Sequence, residues 1–117
     1  MKQITIMLGS SPYSGQNLDT VLGLAEAALK KGHRVTVVGS GDGTYGFLKG
    51  QKASGAPNAE KGFSDLIAKG LRVDLWGTCF SFRGLRKEEF IEGATPGTLK
   101  SLFQILGETD ILLNVAP

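Results

Sequence analysis

One residue of this chain offers a strong sulfur nucleophile: Cys79, its single cysteine, set in Gly77-Thr78-Cys79-Phe80-Ser81. The thiolate is the reactive form, and nearby cations or a helix N-terminus stabilise it. Arg83, Arg86 and Lys87 follow closely. If they fold back over the thiol, its pKa falls and an anionic sulfur species is held there, with Thr78 and Ser81 as hydrogen-bonding helpers. The opposing expectation is a small buried hydrophobe, the commoner state of a lone cysteine. Cys79 follows an apolar run and sits among glycine, threonine and serine rather than aliphatics. That setting leaves both readings open.

The loop of residues 9–16, Gly-Ser-Ser-Pro-Tyr-Ser-Gly-Gln, resembles a phosphate loop superficially. It lacks the Lys-Ser or Lys-Thr pair of a nucleotide P-loop, and its spacing differs from the dinucleotide signature. A tight turn from strand to helix is the plain expectation. The alternative is a cradle in which Ser10, Ser11, Ser14 and Gly15 hold a small anion or a nucleotide near a helix N-terminus. Asp42-Gly43 is turn chemistry, and Asp42 as an acid–base group has no second carboxylate visibly paired with it. His33 belongs to a turn at the other end of the sheet. One histidine and one cysteine far apart make neither a zinc site nor a Cys–His dyad, so no metal or organic cofactor is expected. Tyr45 and Phe47 read either as exposed aromatics of a mobile loop or as cover for the sheet edge.

The elements that must position these residues are legible from apolar spacing. Ile4, Ile6 and Leu8 mark a strand, and Leu18, Val21, Leu22, Ala25, Ala28 and Leu29 follow helical spacing after Asn17, an expected N-cap. Gly32 stops that helix, and Val35, Val37 and Val38 make a second strand. A glycine-rich stretch, residues 39–57, follows, with a short helix expected near residues 45–49. Asn58 would cap a helix carrying Ala59, Phe63, Leu66 and Ile67, ending at Gly70. Leu71, Val73, Leu75 and Trp76 form a third strand that runs into the Cys79 loop, and residues 86–91 suggest a short helix. Thr95-Pro96 is a helix-start signal for Leu99, Leu102, Phe103 and Leu106, with Gly107 as the stop. Ile111, Leu112, Leu113 and Val115 are the fourth strand.

Strands alternating with helices predict a three-layer α/β/α sandwich on a mainly parallel sheet. In such sheets ligands and reactive groups gather beyond the carboxyl ends of the strands, where the loops of residues 9–16, 39–57 and 77–81 lie.

The 117 residues show no linker or composition break, so residues 1–117 are expected to form one domain. Hydrophobic residues make up 41% and charged residues 21%, ordinary for a globular protein. A net charge of +2 is too small to imply direct nucleic-acid or anionic-membrane binding. A single thiol excludes an internally disulfide-stapled scaffold and favours a reducing compartment. The first residues form a strand-length apolar run without a signal-peptide pattern, and no run nears the roughly 20 apolar residues of a membrane span. A cytoplasmic location is therefore expected.

The order of segments resembles the DsrE-like family. Pro12-Tyr13-Ser14-Gly15 precedes a helix, Gly32-His33 precedes the valine strand, and Asp42-Gly43-Thr44-Tyr45 follows it. The match continues through Gly77-Thr78-Cys79 and Arg83-Gly84 to residues 99–106 and the closing strand of residues 110–115. Each motif alone is weak, while their order and spacing cover essentially the whole chain. The resemblance implies a flavodoxin-like topology and assembly as a homotrimer, homohexamer or related hetero-oligomer. In its DsrE/TusD-type sulfur-relay members a cysteine after the third strand carries a persulfide, and Cys79 matches that cysteine in position. It implies sulfur donor and acceptor proteins as partners, in tRNA thiolation or sulfur oxidation, and a sulfurtransferase or carrier role for Cys79; Thr78, Ser81, Arg83 and Arg86 are its supporting candidates on proximity in sequence alone. Two other functions stay open on the residues: a module binding a small anion or nucleotide, and a structural subunit with an incidental cysteine.

Overall fold

The computed structural model describes residues 1–53 and 58–115. Its strands are β1 (Gln3–Leu8), β2 (Arg34–Gly39), β3 (Arg72–Trp76), β4 (Ala94–Gly97) and β5 (Ile111–Val115). They form one sheet in the order β4-β3-β2-β1-β5, with every neighbouring pair parallel. The helices are α1 (Asn17–Lys30), α2 (Ala59–Ala68), α3 (Gly77–Phe82) and α4 (Leu99–Glu108), and a 3-10 helix (Gly41–Phe47) follows β2.

Parallel neighbours require crossovers, which are right-handed. The steps from β1 to β4 all run one way across the sheet and keep α1, α2 and α3 on one face. The return from β4 to β5 runs the other way and sets α4 on the opposite face. The flavodoxin order 2-1-3-4-5 differs in one respect: here the last strand fills the edge beside β1. The expected sandwich is therefore present, with one thick and one thin helical layer.

Alternation along the strands sorts the core. Ile6, Leu8, Val35, Val37, Val73 and Leu75 pack with Leu18, Val21 and Ala25 of α1 and Phe63 and Leu66 of α2. On the other face Met7, Val38 and Trp76 meet Leu102, Ile105 and Leu106 of α4. Burying each large aliphatic or Phe side chain is worth roughly 1.5–3 kcal/mol, so the thicker layer supplies most of the hydrophobic stabilisation. Phe47 belongs there: it is fully buried, with its ring 4.2 Å from that of Phe63.

Several boundaries differ from expectation. Asn58 does cap α2, accepting from the Lys61 N–H at 3.1 Å. Asn17, however, is the first residue of α1, and its amide donates to Ser10 Oγ at 2.9 Å instead of capping. Thr95-Pro96 lies inside β4, a fifth strand, and the helix starts after Thr98, which accepts from the Ser101 N–H. Proline lacks the N–H of a ladder bond, and β4 tolerates it because it is an edge strand. Gly107 lies within α4 and does not end it. Leu99 and Phe103 are 57% and 64% exposed, while Ile105 takes the buried position. The short helix expected near residues 45–49 is the 3-10 helix Gly41–Phe47, and that of residues 86–91 shrinks to a 3-10 turn, Lys87–Glu89. Residues 54–57, the end of the glycine-rich stretch, lie outside the described residues.

The thin face holds a buried carboxyl, Asp74 of β3. It abuts Gly97 of β4 so closely that a Cβ there would overlap it. Burial pushes the Asp74 carboxyl up from its ordinary 3.8, opposed by a hydrogen bond with Ser101 and the charge of Arg72. Among the described residues no helix is long and apolar enough to cross a membrane.

Candidate functional site

The turns after β1, β2 and β3 interlock at the carboxyl edge of the sheet. The Ser40 N–H donates to the Leu8 carbonyl at 2.9 Å. Gly43 passes so near that carbonyl that any Cβ would overlap it, so only glycine allows this approach. Tyr13 has φ 68°, a left-handed conformation that costs a non-glycine residue about 1–3 kcal/mol. Its hydroxyl offsets that cost by donating to Gln51 Oε1 and accepting from the Ala59 N–H at 3.1 Å. The Gln51 amide then donates to the carbonyls of Gly46 and Leu48, both at 3.0 Å. The first loop is thereby tied to the start of α2 and to the segment after the 3-10 helix.

Cys79 lies on α3, which starts at Gly77 directly after β3, so the expected loop of residues 77–81 is helical. Phe80 is buried and meets Phe90 edge-on with ring centroids 5.1 Å apart, which anchors the helix. The neighbouring Cys79 is a free thiol of intermediate exposure, not a core residue. Thr78, Ser81 and Phe82 are exposed on the same short helix.

Of the three cations after the cysteine, Arg83 reaches back. Its backbone N–H turns to the Phe80 carbonyl at 3.1 Å, and its side chain takes the Cys79 carbonyl, Nη1 donating at 2.9 Å. Its Nε donates to Asp42 Oδ1 at 2.9 Å, an ion pair across two elements. Arg86 instead pairs with Glu89 at 3.7 Å on the following turn, and Lys87 is exposed there.

A cavity of about 170 Å³ lies beside this network, lined by Ser10, Ser11, Ser14, Gly15, Asn17 and Asp42. Ser10 is buried, and the Ser11 and Ser14 hydroxyls hydrogen-bond each other at 2.9 Å. The expected cradle residues thus do converge, but with Asp42 on their wall. A bound anion would meet that carboxylate, partly neutralised by Arg83. In the sequence Asp42 reads as a turn residue or an unpaired acid–base group, and its partner Arg83 is not legible there. The available signal was a carboxylate just past a strand end, on the edge where an arginine-rich turn also emerges. His33 lies at the opposite edge of the sheet, its Nδ1 accepting from the Lys2 N–H at 3.0 Å.

A model of the DsrE/DsrF-like family matches residues 2–115. The chain belongs to this family. An uncharacterized protein of Methanopyrus kandleri is 33% identical over 107 residues, covering 92% of this chain and 88% of that one. An uncharacterized protein of Methanocaldococcus jannaschii is 31% identical over 108 residues, covering 92% of this chain and 95% of its own. The crystal structure of the E. coli protein ychN superposes with a TM-score of 0.86 at 29% identity, covering 97% of this chain and 99% of that one. A protein of unknown function from Methanobacterium thermoautotrophicum shares the fold, with a TM-score of 0.79 at 13% identity and coverage of 97% and 99%. The DsrE-like arrangement expected from motif order is therefore the arrangement observed.

Proposed function

We propose that this DsrE/DsrF-like protein carries sulfane sulfur as a persulfide on Cys79 and transfers it to a partner thiol. The observation that carries the proposal is the placement of Cys79: a partly exposed thiol on the first turn after β3, with its carbonyl held by Arg83. Family membership supports the same reading. The Cys79 thiolate attacks the outer sulfur of a donor persulfide. A bond from Cys79 Sγ to that sulfur forms as the donor S–S bond breaks, and the donor leaves as a thiolate that takes up a proton. An acceptor thiolate then attacks the outer sulfur of the Cys79 persulfide, and Cys79 leaves as thiolate. Disulfide-type bonds are conserved in number at each step, so no oxidant, reductant or cofactor enters; thiolate fraction, leaving-group pKa and access govern the rates.

In this reading Thr78 and Ser81, exposed on the same short helix, serve as hydrogen-bonding helpers of the terminal sulfur, and Arg83 orients the turn through the Cys79 carbonyl. Arg86 would act only by leaving Glu89. The natural donor and acceptor are protein thiols of a relay of the tRNA-thiolation or sulfur-oxidation type, in a reducing compartment such as the cytoplasm. Residues 1–117 act as one domain, and copies assemble as a homotrimer or homohexamer through apolar surface on β5 and α4.

Intact-mass measurement after incubation with inorganic polysulfide tests the proposal. Wild type gains one sulfur atom, and Cys79→Ser gains none. The cavity lined by Ser10, Ser11, Ser14 and Gly15 favours a second reading, binding of a small anion or nucleotide. That reading replaces the first if wild type stays unmodified by several donors while inorganic phosphate or a nucleotide raises its melting temperature.

A further inference from the structure

We infer that Asp42 is a positioning residue for Cys79, acting through Arg83: its carboxylate orients and neutralises the guanidinium that closes the turn bearing the thiol. The inference deepens the carrier reading and rests on it for its functional meaning. Asp42 and Cys79 are distant in sequence and sit on different elements, the 3-10 helix after β2 and α3. One guanidinium spans them, with Nε on Asp42 Oδ1 and Nη1 on the Cys79 carbonyl, both at 2.9 Å. Two hydrogen bonds from one planar fork define its orientation, which a single contact would leave free. The Arg83 side chain is 29% exposed and that of Asp42 56%, so solvent and salt screen the carboxylate end of the pair more than the guanidinium.

The charge balance around the thiol follows from this geometry. The 3-10 helix packed on α3 carries Asp42 and Tyr45. β3 carries Arg72 and Asp74, the latter buried under α4 on the thin face. Arg83 stands at the end of α3, while Arg86 and Glu89 pair on the next turn. Asp42 is thus the group that cancels Arg83. Neutralising Asp42 leaves a net cation beside the thiol and favours thiolate; removing Arg83 leaves a net anion and disfavours it.

Alkylation of Cys79 by iodoacetamide as a function of pH tests this on the full chain. In Asp42→Asn the amide oxygen still accepts from Arg83 Nε, so charge changes with little change in geometry. Its alkylation midpoint falls to lower pH, and its rate at pH 7 rises by roughly twofold to fivefold. In Arg83→Met the midpoint rises and the rate falls by a similar factor. Arg83→Lys restores the charge and brings the midpoint back towards wild type, and the Asp42→Asn/Arg83→Met pair lies near wild type. A purely structural role would lower melting temperatures without moving midpoints in opposite directions. Unmoved midpoints, or movement the same way in both single variants, overturn the inference. Sulfur uptake by the same samples reports on the carrier separately: opposite midpoint shifts with no uptake by wild type would leave Asp42 its role and remove the carrier.

Discussion

Asp74 shows how a single buried carboxyl couples stability to pH. Its folded-state pKa lies above the ordinary 3.8 because burial disfavours the charged form. The native state therefore holds this proton more tightly than the unfolded chain does. The resulting stabilisation is complete below the unfolded value and is lost as pH rises through the folded value. Asp74→Asn removes this dependence, so its melting temperature should gain on wild type between pH 4 and pH 7 in parallel thermal scans. Gly97 is the partner in this packing. Gly97→Ala drives a methyl group into the Asp74 carboxyl and should cost about 1–3 kcal/mol in denaturant unfolding. Adding Asp74→Ala should recover part of that loss, because residues in contact give non-additive cycles. Asp74 and Gly97 could not be paired from sequence: each is ordinary where it stands, and only the β3–β4 register brings them together.

At the scale of elements, segments with clear periodicity were legible and those with short or mixed signals were not. The valines of β2 and the apolar stripe of α1 specify their elements locally. Thr95-Pro96 carries a genuine helix-start pattern, yet tertiary pairing with Leu75 and Asp74 makes those residues strand, and the cap moves to Thr98. The turn bearing Cys79 reads as loop because its glycine and threonine are weak helix formers; Phe80 against Phe90 supplies the packing that makes it helical. Tyr13 illustrates the same dependence. Its left-handed backbone persists through hydroxyl contacts to Gln51 and Ala59, residues remote in sequence. Tyr13→Phe deletes both contacts and should lower stability by about 1–3 kcal/mol in urea unfolding, without changing sulfur uptake by Cys79.

Across the whole molecule, apolar surface is unevenly covered. Ile111, Leu112 and Leu113 of the edge strand β5 are 41%, 53% and 36% exposed, and Leu99 and Phe103 stand out from α4. Exposed edge strands with apolar side chains favour association. Assembly through this surface predicts that Phe103→Glu combined with Leu112→Lys reduces the particle to a monomer in light scattering. Far-UV circular dichroism should remain that of wild type, because neither side chain belongs to the core clusters. A wild-type protein that is already monomeric would refute this mode of assembly.

Sequence by itself determined that alternating strands and helices build a parallel α/β sheet and that one cysteine stands just beyond its third strand. Those features are local: residue spacing dictates which side chains share a face, and a crossover helix dictates parallel neighbours. It also marked Arg83 as a cation near the thiol, on proximity alone. Tertiary structure decided that Arg83 reaches back while Arg86 pairs with Glu89, that Asp42 completes the link to Cys79, and that Leu99 and Phe103 face outward. These depend on distances between residues far apart in the chain, which exist only once the sheet has brought three turns to one edge.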